Sequence, residues 1–183
     1  MTRAAVLVVV LATASSSLGA EAKAAPILRF QQVDFLHRWS KDGQHEFTPK
    51  GQEDLEHWTD MVTIDVHDEA TDGDTLAALA TQVVARYQAA GKILKTDSKP
   101  RTADHPAEHF AAAILPDPAF LEAAFARFLL VEGHGVVAVY SHRVYGKAGP
   151  EMAAWLDAQG AKSEQALMAW EGVPAPARLA SLR

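Results

Sequence analysis

Two β-rich runs on either side of one glycine-containing turn constrain this chain more than any other feature. Residues 120–131 (FLEAAFARFLLV) precede Gly133-His134-Gly135, and Val136-Val137-Ala138-Val139-Tyr140 follows it. The second run is plainly strand-forming. The alanines and leucines of the first would suit a helix, but the turn and its β-rich neighbour favour a long hairpin. With Gly133-His134 as a two-residue turn, Glu132 faces Gly135, Leu129 faces Ala138, Arg127 faces Tyr140 and Phe125 faces His142. These pairs lie on one face because strand side chains alternate. The other face pairs Phe128 with Val139, Ala126 with Ser141 and Ala124 with Arg143. Both faces are largely apolar, so helices are expected to cover both. Arg127 on such a face needs a carboxylate or a ligand, because an unpaired buried charge is expensive. Two readings stay open. One is an internal ion pair or an arginine reaching the sheet edge. The other is a pocket in which Arg127, Tyr140 and His142 bind a small polar or anionic ligand.

The rest of the chain supplies partners for this hairpin. Residues 33–39 alternate, with Val33, Phe35, His37 and Trp39 on one side. Asp42-Gly43 then predicts a tight turn into a strand over 45–48. Residues 53–59 carry Leu55 and Trp58 at helical spacing and predict a short helix. Residues 61–67 (MVTIDVH) alternate and predict a strand. Asp72 or Asp74 caps a helix whose stripe is Leu76, Leu79, Ala80, Val83 and Tyr87, with Gly91 as its stop. Residues 93–97 and 108–115 predict strands, separated by a polar loop. Gly149-Pro150 opens a last helix bearing Met152, Trp155 and Leu156, which Gly160 is expected to break before Ser163, Leu167 and Trp170. From Gly172 onward, Pro174 and Pro176 predict a loose tail. The order β-β-α-β-α-β-β-β-β-α predicts one α+β domain over residues 25–171, with a mostly antiparallel sheet.

In that order, and in the passage Leu55-Glu56-His57-Trp58-Thr59 running on to Ile64, the chain resembles the Mog1/PsbP-like α/β/α sandwiches. The resemblance covers most of residues 33–170 and rests on element order and one loose aromatic motif. It implies the fold and a non-catalytic tendency only. It carries over no site residues, since the family pattern has no catalytic signature.

The N-terminus points to a compartment. Arg3, the apolar run 4–13 (AAVLVVVLAT) and the small, polar stretch 14–20 have the layout of a secretory signal peptide. It is expected to occupy residues 1–24, with cleavage after Ala20, Ala22 or Ala24. The run is too short to span a bilayer, which takes about 20 residues. A periplasmic or secreted mature chain follows, with no stable membrane insertion after processing. The chain has no cysteine, which excludes disulfides, thiol catalysis and a lipid-modified cysteine. With 17 basic and 23 acidic residues, the net charge is -6, and no basic stripe suggests nucleic acid.

The motifs that could carry chemistry are weak. His105-Pro106-Ala107-Glu108-His109 matches the H-x-x-E-H string of zinc peptidases, but Pro106 and the alternation after it predict loop into strand rather than helix. Asp68 to Asp74 resembles a calcium loop, yet Ala70 and Leu79 stand where ligands belong. Asp65 and His67 could share one strand face, which reads as a solvated face rather than a metal site. No phosphate loop, dinucleotide fingerprint or nucleophile elbow is present. The sequence thus predicts a non-catalytic, exported accessory or ligand-binding protein of the bacterial envelope. It calls for no metal, no other cofactor and no catalytic residue. The rival readings are a metal-assisted hydrolase using His105, Glu108 and His109, and an envelope protein–protein interaction module.

Overall fold

A computed structural model describes residues 27–146 and 148–182. The expected signal peptide lies outside the described residues. The chain forms one eight-stranded sheet in which every pairing is antiparallel. The strands are β1 (Ile27–Phe30), β2 (Val33–Lys41), β3 (Gln44–Pro49), β4 (Asp60–His67), β5 (Lys92–Lys99), β6 (Glu108–Pro116), β7 (Phe120–Val131) and β8 (His134–Tyr145). Their spatial order is β1-β2-β3-β4-β8-β7-β6-β5. Helix α1 (Gly73–Ala90) joins β4 to β5. After β8 come α2 (Gly149–Trp155), one π-helical stretch (Leu156–Gly160), α3 (Ala161–Met168) and α4 (Pro176–Ala180).

The β7–β8 hairpin forms as expected, but its register differs by two residues. Val131 pairs with His134, so the turn residues are Glu132 and Gly133. Both have positive φ, 51° and 82°, as a type I′ turn requires. A slip of two keeps every side chain on its face, where a slip of one would exchange them. Arg127 therefore faces Ala138 rather than Tyr140, Tyr140 faces Phe125, and His142 faces Ala123. Asp42 (φ 49°) and Gly43 (φ 89°) make the expected β2–β3 turn. A bulge between His37 and Trp39 breaks the alternation there. Trp39, expected beside His37, is exposed.

Alternate strand residues feed two core clusters. Phe110, Phe125, Val136 and Tyr140 pack with Met152 of α2, Leu167 of α3 and Leu179 of α4. Ala111, Ala126, Phe128 and Val137 pack with Leu76, Leu79 and Ala80 of α1. Asp72 caps α1, accepting from the Thr75 backbone N–H, while Thr75 Oγ1 accepts from the Asp72 N–H. Gly91 caps its end, donating its N–H to the Tyr87 carbonyl, and a Cβ there would stand 2.1 Å from the Ile114 carbonyl oxygen. Leu76 and Leu79 are buried, with Val83 and Tyr87 half-buried behind them. Leu79→Ala is expected to lower the unfolding free energy by about 2–3 kcal/mol in urea titrations. That is the lower part of the range for buried leucine truncation, since Leu79 keeps 6% of its surface exposed. A loss below about 0.5 kcal/mol would mark a surface position.

Three elements differ from expectation. Residues 53–59 form turns, not a helix. Seven residues cannot support a helix without packing, and polar side chains here take the backbone hydrogen bonds instead. Gln52 Oε1 accepts from the Thr59 and Asp60 N–H groups, and Asp54 Oδ1 accepts from that of Glu56. Gly160 does not interrupt the last helix, which runs through the π-helical stretch into α3. The expected loose tail instead contains α4, whose Leu179 is fully buried. Strand β1 adds an edge that the sequence did not announce.

Candidate functional site

Tyr140 and His142 converge on a residue with no sequence motif around it. Strand β4 lies beside β8 with Asp60 opposite His142 and Val62 opposite Tyr140. The shared sheet face therefore brings Asp60, Tyr140 and His142 together. Tyr140 Oη donates to Asp60 Oδ1 at 2.8 Å, and His142 Nδ1 lies 2.9 Å from the same oxygen. Trp155 of α2 stacks on the His142 ring, with centroids 4.1 Å apart and planes 4° from parallel. That stack and the carboxylate together fix the imidazole's orientation.

Burial of the Asp60 carboxyl would raise its pKa, but the hydrogen bonds from His142 and Tyr140 outweigh it. The net shift is downward, so Asp60 is ionised at neutral pH. Burial and the neighbouring Asp60 charge push the Tyr140 phenol up, so it remains a protonated donor. Beside this trio lies a recess of about 110 Å³, lined by Phe30, Gln31, Val33, Phe35, Pro49, Asp60 and Tyr140. The β1–β2 turn closes one side. Gln31 and Gln32 both have positive φ, and Gln31 Nε2 donates to Ser163 Oγ of α3. Phe30 packs against Tyr140 and Trp170, each at 5.2 Å between centroids.

Arg127 stands on the same sheet face but is committed elsewhere. Its Nε and Nη2 donate to Glu108 at 2.9 Å each, a two-pronged ion pair. Its Nη1 donates to the Leu167 and Trp170 carbonyls at 3.0 and 2.7 Å, at the C-terminal end of α3. Four of its five N–H groups are thus engaged within the fold. The Glu108 carboxyl, although partly desolvated, is held below its ordinary range by Arg127 and Lys99.

The same contacts break up the zinc-peptidase string. Glu108 and His109 are adjacent on a strand and point to opposite sides. Glu108 is spent on Arg127, while His109 Nδ1 meets Ser98 Oγ at 2.9 Å and its Nε2 is buried without a partner. His105 is an exposed loop residue. His105 and His109 do line a common cleft of about 660 Å³ with Arg101, Asp104 and the Asp72–Asp74 start of α1, but Glu108 does not. Among the described residues, the group with metal-binding spacing is Asp54, Glu56 and His57, all exposed. Asp65 and His67, expected to be solvated, are hydrogen-bonded to each other at 3.0 Å. A further pair escaped sequence reading: Ser40 Oγ lies 2.6 Å from both His37 Nε2 and His45 Nδ1. Burial lowers the pKa of both imidazoles.

No protein-family model and no curated protein sequence matches the chain. Among solved structures, it is similar to the Saccharomyces cerevisiae Ran-binding protein Mog1p, with a TM-score of 0.48 and 13% identity over 79% of this chain and 90% of that one. A mutant form of the protein Mog1 aligns with a TM-score of 0.42 and 12% identity over 78% of this chain and 85% of that one.

Proposed function

We propose that this chain is an exported, non-catalytic accessory protein of the bacterial envelope that binds a small polar ligand, its sheet covered by helices on both faces. The observation that carries the binding reading is the cluster of Asp60, Tyr140 and His142, of which Asp60 and Tyr140 line an aromatic recess while His142 stands behind Asp60. Small-ligand sites typically combine apolar walls with a few placed polar groups. Arg127, offered by the sequence as a third binding residue for a small polar or anionic ligand, serves in this reading as a support for Glu108 and α3. The basis for export is the signal-like layout of residues 1–24.

Two measurements test the proposal. Mass spectrometry of the chain recovered from a bacterial periplasm is expected to show a start between Glu21 and Ala25. Retention of Met1 would overturn export. In thermal-shift assays, a small-molecule extract of the envelope is expected to stabilise the wild type but not Val33→Trp. Val33 lines the recess while 42% exposed, so a larger side chain there obstructs the site without entering the core. Equal stabilisation of both forms would move binding away from the recess.

A further inference from the structure

Asp60, like Asp65 and Glu46, has no lysine or arginine within ion-pair distance among the described residues, unlike three other part-buried carboxylates. Glu108 meets Arg127, Glu122 meets Arg143 at 2.8 Å, and Glu164 meets Lys95 at 2.6 Å. Asp60 meets a phenol and an imidazole, and among the described residues its ion-pair contact is His142 alone. The carboxylate side chain keeps 28% of its surface exposed and lines the recess. The neighbouring walls are Phe30, Phe35 and Tyr140, with Val33 and Pro49 at the rim. The recess therefore joins an anion to three aromatic rings.

We propose that this recess binds the head group of a small organic cation, a primary or methylated ammonium, with Asp60 as its counter-charge and Phe30, Phe35 and Tyr140 as its aromatic walls. The inference rests on the binding reading above and names the ligand's chemical class. Aromatic faces attract cations through their quadrupole, and methylated ammonium groups are recognised in aromatic cages. An anion would meet the charge of Asp60. A bare metal ion would find one carboxylate among apolar walls, far short of the oxygen ligands that hard cations need. The size also fits. About 30 Å³ per water-sized unit makes a recess of 110 Å³ large enough for a head group of about four heavy atoms, such as trimethylammonium.

The test is calorimetric titration of the processed chain with methylammonium, tetramethylammonium and choline chlorides. Sodium chloride, sodium acetate and 3,3-dimethyl-1-butanol, the uncharged isostere of choline, serve as controls. Saturable binding of at least one ammonium probe is expected, with none for the controls. Asp60→Asn is expected to weaken it at least tenfold, and Val33→Trp to obstruct it. The second variant decides the matter if the first fails to fold. Backbone amide shifts at Gln31 and Asp60 should follow the titration. Equal binding of the uncharged isostere, or an unchanged Kd in a folded Asp60→Asn, would overturn the cationic class and leave ligand binding standing. So would extract-induced stabilisation, lost in Val33→Trp, with no response to any ammonium probe. Failure of every probe together with failure of the envelope extract would overturn both.

Discussion

Arg127→Met is expected to lower the unfolding free energy by about 3–5 kcal/mol, the range for breaking one side of a buried ion pair. The lower end of that range is expected, because the Glu108 side chain keeps 20% of its surface exposed and can draw water toward it. Two losses combine. Glu108 keeps its charge without its guanidinium, and the Leu167 and Trp170 carbonyls lose the donor that joins α3 to β7. Replacing Glu108 by Gln in the same chain should recover part of the loss, since a charge left with Lys99 as its one cation disappears while the bare carbonyls remain. Urea titrations of the single and double variants measure both terms. The pH dependence supplies an independent check. The Glu108 carboxyl lies below its ordinary range in the folded chain. The stability it contributes is therefore present above the ordinary glutamate pKa of 4.5 and is lost as pH falls through the lower folded value. The gap between wild type and Arg127→Met should narrow in acid. A variant that melts with the wild type at neutral pH would show that Arg127 does not hold Glu108 and α3 together.

The fate of Arg127 shows what alternation alone can read. The apolar character of both hairpin faces places Arg127, Tyr140 and His142 on one side, and the two-residue register slip preserves that placement. The partners were another matter. Glu108 reaches Arg127 because Phe110 pairs with Arg127 and Glu108 lies two residues along the same face of β6. Its presence in a metal-peptidase string drew it toward a different chemistry. Asp60 was legible only as a polar residue ahead of a strand. Its role depends on β4 pairing with β8 across 82 residues of chain, and local turn signals say nothing about such a pairing. The recess adds the β1–β2 turn, where Gln31 and Gln32 take positive φ without a glycine to mark it. Short-range signals with a physical cause behaved differently. The Asp72 cap, the Asp42-Gly43 turn and the α1 stripe each stand where capping, turn geometry and helical period put them.

Leu179→Ala is expected to cost about 3–5 kcal/mol, the upper part of the range for leucine truncation, although Leu179 lies in a segment that reads as a tail. Pro174 and Pro176 suggest a chain released from the domain. Yet Pro176 stands at the first turn of α4, where its missing N–H and fixed φ are tolerated. A five-residue helix cannot sustain itself in water, so α4 depends on the side chain it buries. Leu179 is fully buried in the cluster that contains Phe47, Ile64 and Leu167. Just upstream, Trp170 Nε1 donates to the Arg29 carbonyl at 3.0 Å, tying the C-terminal segment to β1. Truncating Leu179 should therefore leave a cavity and also release α4 from the sheet. The two effects are separable. Urea titration reads the global loss, while limited trypsinolysis at Arg178 reads the detachment, with faster cleavage expected in the variant under native conditions. A loss below about 0.5 kcal/mol, with unchanged cleavage, would return residues 172–182 to the status of a tail.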